Sequence, residues 1–140
     1  MISLQINDTK YLMSKLFKEE MFDSLFVANI ELIGFAKFDI SATTEPCTWQ
    51  TMRPYIHNII KGNKAPKSIK IVFYLDKEKG EAIAPGHEFF LNMYFNEGEL
   101  HFTTGTSSKT FSLDKGPAHV WEDNVQKFFK KHTVAFQSLV

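Results

Sequence analysis

The chain has 140 residues, a length at which one domain buries a core without disulfides or a structural metal. Its 16 basic and 16 acidic side chains cancel, so no global field draws the molecule onto nucleic acid or an acidic membrane surface, and any such attraction must be local. Fourteen phenylalanines within an apolar fraction of 44% point to a sheet-rich core, because aromatic side chains favour pleated, half-buried surfaces.

The opening MISLQINDTK has no basic leader followed by a long apolar run, so it reads as the start of the folded domain, and a cytoplasmic location is expected. Apolar runs such as LFVANIELIGF are too short and interrupted to cross a bilayer, so no membrane partner is expected. The single cysteine, Cys47, excludes an internal disulfide and fits a reducing compartment, where the sequon at Asn7 has no meaning.

Ile2, Leu4 and Ile6 alternate with polar neighbours as in a half-buried strand. Asp8 is placed to cap a helix whose apolar face is Leu12, Met13, Leu16 and Phe17. Phe26, Ala28, Ile30 and Leu32 form one alternating set and Ala36, Phe38 and Ile40 another, with Gly34 marking a hairpin or a bulge between them. Trp49, Met52, Ile56, Ile59 and Ile60 lie on one helical stripe. A proline inside a helix clashes with the carbonyl four residues back, so this helix is expected to start near Arg53, with Pro54 in its first turn, and to end at Gly62.

The segment SIKIVFYLD reads as a strand with Ile69, Ile71, Phe73 and Leu75 on one face. KEKGEAIAPGHE carries no clear period, although Pro85-Gly86 suits a type II turn. Phe89, Leu91, Met93 and Phe95 then alternate, Gly98 offers a left-handed turn position, and Leu100 and Phe102 return as a hairpin partner. Phe111 and Leu113 suggest one more short strand. From Pro117 the period is helical, with Trp121, Val125, Phe128 and Phe129 on one face and Lys127, Lys130 and Lys131 late, as the helix dipole favours. The tail VAFQSLV is apolar enough to dock. The order β-α-β-β-α-β-β-β-β-α predicts a single α+β domain over residues 1–140, a mainly antiparallel sheet of about six to seven strands with three helices packed on it.

Two stretches invite a binding role. In TTGTSSKTF, Gly105, Thr106, Ser107, Ser108 and Lys109 resemble a phosphate cradle in composition. A P-loop, however, needs a second glycine before the lysine and a helix after it, and here TFSL follows. The segment is therefore expected to connect strands, with Gly105 taking the unusual backbone angles and the exposed amides forming at most a weak anion site. Between Pro46 and Leu75 there is no acidic residue, while Arg53, Lys61, Lys64, Lys67 and Lys70 are all cationic. Such a segment either solvates a loop or contacts phosphates without reading sequence.

Catalytic and metal chemistry find less support. His57, His87, His101, His119 and His132 have no metal-ligand spacing, and one cysteine makes no thiolate zinc site, so neither metal nor other cofactor is expected. Cys47 with His57 or His101 as base is a composition every such protein permits. His87-Glu88 and His101 suit a surface ion pair across the hairpin. Glu19, Glu20, Glu97 and Glu99 read as solvated, because acid-base work needs a cleft that shifts a pKa.

WQTMRPYIHNIIKGNKAP, KIVFYL, TGTSSKTFSLDK and WEDNVQKFF together resemble an uncharacterised family of small single-domain bacterial proteins described as a domain of unknown function. The elements that carry the likeness are Trp49, Arg53, Pro54, Lys61, Gly62 and Pro66, then Thr104 to Ser107, Lys109, Phe111, Leu113 and Asp114. The resemblance implies a bacterial origin and a stand-alone domain, and it brings no activity. The element order is also similar to one domain of a DNA sliding clamp, an analogy of topology alone.

The leading expectation is a non-enzymatic binding or adaptor domain acting through a protein partner or self-association. Val72, Tyr74, Phe90 and Tyr94 on the outer faces of strands, with Phe136, Leu139 and Val140 in the tail, need cover. The alternative is weak, sequence-independent nucleic-acid binding through the 53–70 segment.

Overall fold

The computed structural model describes residues 1–61, 66–110 and 113–139. In chain order the elements are β1 (Ser3–Ile6), α1 (Thr9–Phe17), β2 (Phe26–Ile33), β3 (Lys37–Ser41), β4 (Cys47–Thr48), α2 (Trp49–Lys61), β5 (Ser68–Tyr74), α3 (Lys77–Ile83), β6 (His87–Asn96), β7 (Glu99–Ser108), α4 (Gly116–Lys131) and β8 (Phe136–Leu139). The strands form one sheet in the order β3-β2-β5-β6-β7-β1-β8, with β4 also on β2. Every pairing is antiparallel. The α+β class and the antiparallel sheet are as the periodicities predict, with eight strands and four helices among the described residues.

The predicted inward sets form one continuous layer except at the start of β2, where a register shift between Val27 and Asn29 buries Val27, leaves Ala28 exposed and puts Phe26 on the opposite face from Ile30 and Leu32. Leu4, Ile30, Ile71, Phe73, Leu91, Met93, Leu100 and Phe102 are buried to within 1% of complete. Helices cover this layer with Leu12 and Leu16 from α1, Trp49 and Ile56 from α2, and Trp121, Val125 and Phe129 from α4. Phe22, from the α1–β2 connection, stacks on Phe73 and Phe102 at 5.4 and 5.9 Å. Asp8 caps α1 as expected, accepting from Tyr11 N–H at 3.0 Å.

Four local expectations are corrected. First, α2 begins at Trp49 rather than Arg53, so Pro54 lies inside the helix. The earlier start is held from outside: Trp49 N–H donates to Leu25 O at 2.8 Å, and Thr48 Oγ1 accepts from Thr51 N–H at 3.4 Å. The expected stop at Gly62 lies outside the described residues. Second, Thr103 to Ser108 continue β7, with Gly105 opposite Phe90 and Ser108 opposite His87. Gly105 has no left-handed φ; among the described glycines only Gly86 and Gly98 do. The ten-residue β6 supplies partners for the whole stretch, so ladder hydrogen bonds override its turn-like composition. Of the strand expected over Phe111 and Leu113, Leu113 belongs to no strand and is exposed, while Phe111 lies outside the described residues.

Third, KEKGEA forms the short α3, whose Gly80 passes close to the sheet; a Cβ there would meet His87 O at 3.4 Å and the Phe89 ring at 3.6 Å. A glycine in mid-helix hides the period from the sequence. The turn after it is as predicted: Gly86 has φ +75° and His87 N–H donates to Ala84 O at 3.2 Å. Fourth, the tail docks as a strand, β8 pairing with β1, and β4 adds a two-residue bridge to β2, so strands and helices each exceed the predicted number.

Candidate functional site

Side chains alternate between the two faces of a strand, and the residues packed by the helices all belong to one face. Among the described residues no helix packs on the other face. Cross-strand registers place its side chains in rows. One row runs Asp39, Glu31, Lys70, Tyr94, His101, Gln5 and Gln137 from β3 to β8. The next runs Ser41, Asn29, Val72, Asn92, Thr103, Ser3 and Leu139. A third, shorter row holds Phe26, Tyr74, Phe90 and Gly105. None of these side chains is fully buried.

The aromatic groups on this open face hold one another in place. Tyr94 stacks on His101 at 5.1 Å with planes 20° apart, and Lys70 Nζ lies 5.7 Å from the Tyr94 ring centre. Phe26 stacks on Tyr74 at 5.5 Å. Opposite Phe90, Gly105 leaves room for the ring; a Cβ there would touch Phe90 Cβ at 3.6 Å. Polar ties run between the rings, with Asn92 Nδ2 donating to Thr103 Oγ1 at 3.3 Å and Asn29 Nδ2 to Asp39 Oδ1 at 2.8 Å. Burial pushes the Tyr74 hydroxyl up from its ordinary pKa, with Cys47 and Glu88 adding to the rise. The surface carries five aromatic rings, Phe26, Tyr74, Phe90, Tyr94 and His101, among mostly uncharged neighbours.

The family described as a family of unknown function, DUF5721, matches residues 15–137, from within α1 to within β8. The chain belongs to this family. No curated protein and no solved structure matches it.

In this DUF5721 member the described cations of the basic segment point to separate places. Arg53 is turned inward: Nη2 lies 3.0 Å from Asp23 Oδ2, and Nη1 donates to Glu19 O at 2.9 Å. Lys61 is exposed on the last described turn of α2, Lys67 is exposed just before β5, and Lys70 lies on the open face, opposite the helix layer. Lys64 lies outside the described residues. The glycine-rich stretch is a strand end: Ser107 faces Glu88, and Lys109 N–H donates to Gly86 O at 3.1 Å. Lys109 lines a cavity of about 270 Å³ together with Glu81 and Glu88, whose carboxylates oppose an anion there.

DUF5721 residues with catalytic chemistry are likewise dispersed. Cys47 on β4 donates to Glu45 O at 3.6 Å, while His101 is on β7, beyond β2, β5 and β6. His57 stacks on Phe17 at 5.7 Å. The suggested meeting of His87 with His101 does not occur, since the register sets His87 opposite Ser108 and His101 opposite Tyr94. Among the described residues no three His, Cys, Asp or Glu side chains converge as metal ligands, and no helix is long and apolar enough to cross a membrane. The open-face residues not singled out from sequence, such as Asn29, Asn92 and Thr103, have one readable signal: they are the polar half of strands whose other half is core.

Proposed function

We propose that this protein is a non-enzymatic binding module that acts through the open face of its sheet, with a second copy of the chain as the partner. The observation that carries this reading is the one-sided packing: the helices take one face and leave Phe26, Val72, Tyr74, Phe90 and Tyr94 half-buried on the other. Two sheets packed face to face lie about 10 Å apart and interdigitate such side chains. The face suits this contact because its charges, chiefly Asp39, Glu31 and Lys70, lie toward the β3 side, while the β6–β7–β1 part is uncharged in the two long rows. A cytoplasmic location fits the lone thiol, which a reducing compartment keeps free.

Sedimentation velocity over a concentration series tests this reading, with wild type beside a Val72→Glu/Tyr94→Glu double variant. The wild type is expected to dimerise and the variant, folded by circular dichroism, to remain monomeric. A wild type that stays monomeric at the highest concentration, or a folded variant that dimerises equally well, overturns it.

A further inference from the structure

A second surface, on the helix layer, is independent of the open face. α1 and α2 touch where Trp49 Nε1 donates to Leu16 O at 2.8 Å and the Trp49 ring meets Phe17 at 5.6 Å. Beside that contact a groove of about 500 Å³ opens between the length of α1, from Thr9 to Phe17, and the C-terminal half of α2. That volume is within the range of roughly 300–1,000 Å³ typical of small-ligand sites. Its walls and floor are apolar: Met13 and Phe17 from α1, Ile60 from α2, Pro66, Ile69 from β5 and Phe95 from β6.

The formal charges at its rim are those of two lysines. Lys10, Lys18 and His57 line it, with the hydroxyls of Thr9 and Ser14, and no carboxylate is among the described lining residues. Neither α1 nor α2 contains an Asp or Glu. Lys15 is held by Glu19 at 3.2 Å, but Lys10 and Lys18 enter none of the ion pairs among the described residues. An apolar trough edged by two uncommitted ammonium groups complements an amphipathic anion: the chain desolvates against Met13, Phe17 and Phe95, and the head group stays at the wet rim where lysine reaches it. We propose that this groove binds a monocarboxylate with an aliphatic tail, of fatty-acid type.

Calorimetric titration of the full chain with decanoate below its micelle concentration, beside decanol and decyltrimethylammonium, tests the assignment, with backbone amide shifts locating the contact. Decanoate is expected to bind saturably, to shift the amides of Met13, Phe17, Ile60, Ile69 and Phe95, and to bind about tenfold more tightly than decanol. A Lys10→Gln/Lys18→Gln variant changes only exposed side chains at the rim. It is expected to lose about tenfold in decanoate affinity with decanol unchanged. Absence of saturable decanoate binding, equal binding of the three amphiphiles, shifts confined to the open face of the sheet, or a double variant that binds decanoate as wild type does each overturns the proposal. A short DNA duplex that binds the groove while decanoate does not overturns it in favour of phosphate recognition.

Discussion

Arg53 has the charge of a surface residue, and its spatial neighbours give it a structural role. Its guanidinium joins Asp23 to the carbonyls of Phe17 and Glu19, closing the α1–β2 connection against α2. The pair is not a simple gain. Burial pushes the Asp23 carboxyl above its ordinary value of 3.8, Arg53 opposes the rise and Glu20 adds to it. A raised folded pKa means that ionised Asp23 costs the fold: the cost is absent below the unfolded value and grows as pH rises through the folded one. Removing Arg53 leaves that charge without its partner, so Arg53→Ala is expected to lose about 2–3 kcal/mol of stability in urea unfolding. A loss under about 0.5 kcal/mol would show the pair to be incidental.

His132 has the opposite sign of response. Burial lowers its pKa from 6.5, and Lys131 and Lys15 lower it further against a smaller rise from Glu19. Its ring packs on Phe128 at 5.1 Å. Because the folded state favours neutral imidazole, the stability this supplies is present above the unfolded value of 6.5 and is lost as pH falls below it toward the folded value. Thermal midpoints measured from about pH 7.5 to 5.5 should fall for wild type and fall less for His132→Gln. Parallel curves would assign the loss elsewhere.

Among elements, the β6–β7 hairpin shows how local sequence and ladder divide the work. Its two-residue loop, Glu97-Gly98, has φ +51° and +84°, the pair of left-handed positions that a type I′ turn requires. Gly98 fits at no steric cost, whereas Glu97 is strained. Its N–H also donates to Lys67 O at 3.2 Å, which anchors the turn to the neighbouring strand. Asparagine tolerates this conformation better, so Glu97→Asn should raise stability by about 0.5–1 kcal/mol, read from the urea midpoint at unchanged slope. A neutral or destabilising result would mean that the anchoring bond, not the turn residue, sets the geometry. The turn was legible because glycine is its cheapest left-handed residue. The extent of β7 was not, since Thr103 to Ser108 look like a turn until Asn92 to His87 are known to lie opposite them. Pro54 follows the same logic: its expulsion to the first turn is a sound local argument, and the Leu25 and Asp23 carbonyls that receive Trp49 and Gln50 N–H override it.

For the whole molecule, the two proposed surfaces lie on opposite sides of one sheet, and each makes a separable claim on stability. If the open face joins two copies, the thermal midpoint of wild type rises with protein concentration, while that of the Val72→Glu/Tyr94→Glu variant does not. If the groove takes a carboxylate, decanoate raises the midpoint of both proteins and decanol does so more weakly. Failure of either shift leaves the other standing. The sheet decides this division because alternation sends every second residue of β5, β6 and β7 away from the helices, whatever its polarity.

The sequence by itself determined the α+β class, the order of most elements, most of the inward-facing apolar sets and the outward-facing apolar residues Val72, Tyr74, Phe90 and Tyr94. These follow from periods of 2 and 3.6, which are local properties of a chain. Only the tertiary structure decided that the basic segment is split, that Arg53 is committed to Asp23, that Met13 and Phe17 meet Ile60 and Phe95 around a groove, and that one face of the sheet has no cover. Each of these depends on which strands pair and on which side a helix crosses, contacts between residues far apart in sequence that no local period encodes.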